Sequence, residues 1–313
     1  MAQIPFKFQL FKFDGICQTV ALTLCPLIGK MDGIEPICYS RNVEFAGMII
    51  FQPATLIMNL IALFMTGVMI YHVKTKYTAV GRKEITLFFQ LYLATVVLEM
   101  LLVSSIIPSA SILYPFFTAM HLGLISTTWW CLVFNGFVGF QFAEDGTPLS
   151  IWSIRIASLI VFLVVTILAM ATFHNVSPFN YTNPTALWSI YFFVNGSGFI
   201  IYTLSQIFLV AFTLDDRWPL GDIAFGTLFF AVGQVFMYIF SVGLCEQSNH
   251  LVDGLFFGSM SNLLAVMMVY KYWDSITKED LEFSIDAKQQ YWQFQALLKD
   301  VGEDKRGTAY DSL

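Results

Sequence analysis

Ile151-Trp-Ser-Ile-Arg-Ile-Ala-Ser-Leu-Ile-Val-Phe-Leu-Val-Val-Thr-Ile-Leu-Ala-Met-Ala-Thr-Phe173 decides the fold class. Its single charge, Arg155, stands near the start, and a helix built from it is apolar on every side. The hydrocarbon core of a bilayer is about 30 Å thick and a helix rises about 1.5 Å per residue, so roughly 20 such residues cross it. A helix on the surface of a soluble domain would instead carry a polar stripe. The stretches Gly47–Tyr71, Ile85–Ile106, Leu113–Phe140, Ala186–Phe212, Asp222–Gly243 and Leu251–Tyr272 read the same way.

Composition agrees. The chain is 57% hydrophobic and 12% charged, about half the charge of an ordinary soluble domain. Such a chain could not cover a water-facing surface. The sequence therefore predicts an all-α polytopic membrane protein. Its core is a seven-transmembrane helix bundle over 47–272, with a lumenal N-terminal cap over 1–46 and a cytoplasmic acidic tail over 273–313. The net charge of −6 and the lack of a basic run argue against nucleic acid as a partner.

Orientation follows Lys and Arg in short loops. With the N-terminus lumenal, Lys74, Lys76, Arg82, Lys83, Arg155, Arg217, Lys271, Lys278, Lys288, Lys299, Lys305 and Arg306 share the cytoplasmic side. The other side keeps Lys7, Lys12, Lys30 and Arg41, all in the cap. The same orientation puts Cys17, Cys25, Cys38 and Cys245 in an oxidising compartment as disulfide candidates. Four cysteines allow three pairings, each compatible with the sequence. Asn180-Tyr-Thr182 is a glycosylation candidate in a loop on that side.

Few residues suggest chemistry. The intramembrane polar candidates are Glu99, His121, Asn135, Gln234 and Asn262, and hydrogen bonding between helices is their ordinary use. The four histidines fall in separate segments, without the paired spacing of a zinc hydrolase. No phosphate loop or cofactor motif appears, so the expectation is a protein without cofactor that is not an enzyme. A seven-span receptor or transporter for a small ligand is the alternative. In the tail, Trp292, Phe294 and Leu297 form an apolar patch suited to a partner groove or the membrane surface. Asp280-Leu-Glu282 has the acid-x-acid form of signals read by vesicle-coat cargo machinery.

Several blocks resemble one family, the fungal chitin synthase export chaperones. They are Lys76-Tyr-Thr-Ala-Val-Gly-Arg82, Phe88-Phe-Gln-Leu91, Glu144-Asp-Gly-Thr147, Gly233-Gln-Val235, Cys245-Glu246 and Asp253-Gly-Leu-Phe-Phe-Gly-Ser259. Met267-Met-Val-Tyr-Lys-Tyr-Trp-Asp274 and Asp280-Leu-Glu-Phe283 close the pattern. The resemblance implies residence in the endoplasmic reticulum membrane and binding of a multi-span chitin synthase as client. It implies that aggregation of the client is prevented and its exit to the cell surface permitted, in support of cell-wall chitin synthesis, with travel to the plasma membrane left open. It supplies no catalytic residues to carry over. Partner candidates are Asp280, Glu282, Trp292, Phe294 and Leu297.

Overall fold

A computed structural model describes residues 14–29, 33–45, 48–77, 79–138, 147–214 and 217–277. The chain opens with α1 (Asp14–Thr19), a 3-10 turn (Cys25–Leu27) and a hairpin of β1 (Val43–Phe45) and β2 (Met48–Ile50). The two strands pair antiparallel, with Glu44 opposite Ile49. The bundle follows: α2 (Pro53–Thr75), α3 (Arg82–Val103), α4 (Tyr114–Val138) and α5 (Pro148–Phe173). The fifth span begins with α6 (Thr185–Trp188), passes through a π-helical turn (Ser189–Val194) and continues as α7 (Asn195–Thr213). Then come α8 (Pro219–Tyr238), the short α9 (Ser241–Gln247) and α10 (Gly254–Thr277).

Seven of these segments are long and apolar enough to cross a membrane. Their outward faces identify the solvent. Leu159, Ile160, Leu163, Val164 and Ile167 of α5 are each about half exposed. In water such a patch would aggregate; in lipid it is solvated.

Helix ends follow local chemistry. Pro148 and Pro219 stand at first-turn positions, where the missing N–H costs nothing. Thr147 caps α5 by accepting from the Ser150 amide at 3.3 Å. The first span starts at Pro53, later than Gly47, because 48–50 pair as a strand and Gln52 adopts φ 45 just before the proline. Hydropathy alone cannot see that strand, since Met48, Ile49 and Ile50 are apolar. The sixth span ends at Tyr238 rather than Gly243, since the chain breaks before α9. The last span is shifted the other way, to Gly254–Thr277.

Close approach between spans depends on small residues. A Cβ at Gly233 of α8 would lie 2.6 Å from Ser261 Cβ of α10. Gly258 meets Met237 across the same seam, and Gly254 meets Ser241. One apolar core joins α2, α3, α4 and α10 around Phe88, Phe89, Tyr92 and Leu263. A second forms at the cap end, where Val20, Leu24, Cys25 and Ile28 pack on Ala119, Leu122, Trp188 and Leu255.

Gly233→Leu is expected to pry α8 from α10 and destabilise the bundle by about 1–3 kcal/mol. A thermal melt of purified protein in mild detergent checks this; an unchanged midpoint would contradict the seam.

Candidate functional site

The distinctive geometry lies where the cap meets the bundle. Residues 22–24 descend between helix ends. Thr23 Oγ1 sits 3.1 Å from His121 Nδ1, and the Tyr114 hydroxyl donates to the Thr23 carbonyl at 2.8 Å. The Gly29 amide donates to the Tyr181 carbonyl, and the Arg41 amide to the His250 carbonyl. The cap is thereby stitched to α4, to the loop before α6 and to the loop before α10.

Two disulfides fix this arrangement. Cys17–Cys25 closes the small loop inside the cap, and Cys38–Cys245 ties the cap to α9 across 207 positions of sequence. His250 Nδ1 lies 3.2 Å from Cys38 Sγ. Cys38, Cys245 and His250 lie close enough to suggest a metal site, but the two sulfurs are bonded to each other and neither is a thiolate ligand. Cys131 is a free, buried thiol. Asn180 is exposed on the loop that meets the cap; its Oδ1 accepts from the Thr182 amide at 2.8 Å.

Asp253, just ahead of the last span, caps α10 by accepting from the Phe256 amide at 3.1 Å. Burial pushes its carboxyl above the usual range, against backbone N–H bonds from Phe256 and Ser40 that pull it down. A carboxyl raised in the folded state adds stability that is fully present below its unfolded value and lost as pH rises through the folded one.

Beneath the cap is a cavity of about 390 Å³, roofed by Leu22, Thr23 and Leu24. Glu99, His121, Gln234 and Asn262 come together in its wall. Ser259 Oγ donates to the Glu99 carboxylate at 3.1 Å. Asn135 stands apart; its amide turns back on its own helix, donating to the Cys131 carbonyl at 2.7 Å. Asn195, Tyr191 and Tyr238 also face the cavity. Sequence reasoning missed them, since nothing in a linear pattern sets them apart from other polar residues in spans. Asn195 follows directly on the π-helical turn, a feature that often marks functional positions.

The opposite end is closed by a second joint. Lys76 pairs with Asp274, Trp273 Nε1 donates to the Val80 carbonyl at 3.1 Å, and Lys271 pairs with Asp222 at 3.1 Å. Buried Glu84 accepts from Ser150 Oγ at 3.1 Å, joining the starts of α3 and α5. The tail candidates Asp280, Glu282, Trp292, Phe294 and Leu297 lie outside the described residues.

Comparison with known proteins adds the family context. Residues 9–287 match a family model described as chitin synthase export chaperone. A chitin synthase export chaperone of Phaeosphaeria nodorum is 48% identical over 303 residues, covering 95% of this chain and 91% of that one. Its namesake in Neurospora crassa is 48% identical over 305 residues, with 95% and 85% covered. The one in Cryptococcus neoformans var. neoformans is 47% identical over 308 residues, with 97% and 85% covered. No solved structure matches.

Two predictions follow from the clasp. Cys245→Ser is expected to expose one further reactive thiol in the unfolded chain under non-reducing conditions and to cost about 2–4 kcal/mol of stability; an unchanged thiol count would contradict the bridge. Measured against Asp253→Asn, the native protein is expected to lose melting temperature as pH rises from the acid range to neutrality. An equal slope in both proteins would contradict the burial of this carboxyl.

Proposed function

The chain belongs to the chitin synthase export chaperone family, and from that premise we propose that it binds a multi-span chitin synthase in the endoplasmic reticulum membrane and licenses its exit. The observation that carries the reading is the near-complete overlap with relatives of that name, 95% of this chain at 48% identity. A receptor or transporter role finds no support in that family.

Physical reasoning explains how a helix bundle could do this. A polytopic client in transit exposes polar groups of its own spans, and each one left unsatisfied in hydrocarbon costs several kcal/mol. A neighbouring bundle can cover them. Here α5, the fifth span (Thr185–Thr213) and α8 leave most of their surface outside the bundle, with 22%, 22% and 17% of their apolar stretches buried. Those faces are the broadest available to a client helix or to lipid.

The sidedness of charge supports a lumenal cap. The loops on the cap side of the bundle, 104–113, 174–184 and 239–253, hold no Lys or Arg, while Lys74, Lys76, Arg82 and Lys271 cluster at the other end. Two disulfides at the cap suit an oxidising lumen. The acidic tail would then meet the cytosol, where Asp280 and Glu282 could engage a vesicle coat.

Purification from mild detergent is expected to bring down a chitin synthase, and loss of this protein to hold that enzyme in aggregates inside the cell. Truncation after Thr277, which removes Asp280 and Glu282, is expected to keep binding yet impair export. Absence of the synthase from the purified complex, together with normal surface delivery in the deletion strain, would overturn the reading.

A further inference from the structure

The chamber beneath the cap gathers groups that client binding does not call for. Glu99 reaches it from the cap-side end of α3 and retains accessible surface there, although it is enclosed by protein. A carboxylate in that position is costly unless something compensates it. Ser259 supplies one hydrogen bond at 3.1 Å. Glu99 forms no ion pair with a Lys or Arg of the described residues; the pairs found there are Lys76–Asp274 and Lys271–Asp222.

Three rings stand against one another in the wall of the chamber that Glu99 also lines. Trp129 and Phe230 have centroids 4.8 Å apart, Phe199 and Phe230 4.7 Å, and Trp129 and Phe199 5.7 Å. Aromatic rings and a carboxylate lining one cavity are groups that attract an organic cation: the ring faces stabilise the ammonium and the carboxylate neutralises it. A further cavity of about 110 Å³ shares Glu99 and all three rings. Its remaining wall is largely apolar, with Phe88, Val96, Leu132 and Val266.

Toward the cap the larger cavity is polar. His121 Nε2 and Asn195 Oδ1 are buried there without a hydrogen-bond partner among the described residues. Buried polar atoms are normally satisfied, so two left unpaired on residues that line one cavity mark that end as suited to a polar occupant.

We propose that this chamber is a binding site for a protonated organic amine with an apolar body. The ammonium sits between Glu99 and the ring cluster, the apolar body extends into the smaller cavity, and hydroxyl or amide groups of the ligand reach His121 and Asn195. The cap segment at Leu22–Leu24 closes over it.

Full-length protein in lipid nanodiscs allows a direct test by calorimetric titration, with empty nanodiscs subtracted. The probe is 4-phenylbutylamine, and 4-phenylbutanol is its uncharged counterpart. The amine is expected to bind saturably, one per chain, and the alcohol about tenfold more weakly or less, since the ion pair is the larger contribution. Glu99→Gln is expected to lose about tenfold in affinity for the amine, and Phe230→Leu several-fold. Should Glu99→Gln fail to fold, Phe230→Leu with the amine–alcohol comparison carries the test. Equal binding of amine and alcohol, full amine affinity in the variants, or no saturable signal above empty nanodiscs would each overturn the proposal. Co-purification of the synthase is a separate readout, so failure here leaves the client reading standing.

Discussion

Hydrocarbon offers no hydrogen bonds, and the architecture obeys that constraint throughout. Backbone groups are satisfied within helices, the only open-ended segment that allows it. Side chains follow the same logic. Thr66, Thr86, Thr95, Thr127, Thr128, Thr172 and Thr277 each turn the hydroxyl back to the carbonyl four residues earlier. A hydroxyl so used needs nothing from a neighbouring helix, although Thr95 and Thr128 also meet each other across α3 and α4 at 3.3 Å. Association of the spans is then left to packing, which is why glycines at the α8–α10 seam matter.

Polar contacts between helices are correspondingly few and placed at levels. Tyr272 donates to Gln206 Oε1 at 2.9 Å, and Gln206 in turn donates to the Gly136 carbonyl at 3.2 Å, locking α4, α7 and α10 toward the charged end. Glu99 and Ser259 join α3 to α10 nearer the cap. The smaller cavity lies between these levels, and the larger one continues past Glu99 to the cap. The cap does for one end of the bundle what Lys76, Asp274 and Trp273 do for the other. It differs in being covalent: Cys38–Cys245 holds a segment from the start of the chain against one near its end.

The spans were legible because lipid imposes a length and a polarity that composition must meet, and the stretch 151–173 meets both without help. Their ends were less so. Apolar residues 48–50 satisfy a hairpin as readily as a helix, and only the pairing of Val43 with Ile50 decides it. The cysteines announced bridges without announcing partners, since pairing depends on where α9 places Cys245. His121 and Glu99 stood out as costly residues, yet their convergence depends on helix rotation, which an all-round apolar pattern does not encode. The family resemblance rested on blocks far apart in sequence. Two of them, 76–82 and 267–274, turn out to be halves of one joint, where Trp273 meets Val80.

The membrane account can be tested apart from any client. Seven spans would place the two termini in different compartments, and in the proposed orientation the C-terminus faces the cytosol. Glycosylatable reporter tags fused in turn to each terminus of the full chain read this directly. The account predicts modification of the N-terminal tag alone. Modification of both tags, or of the C-terminal tag alone, would contradict it.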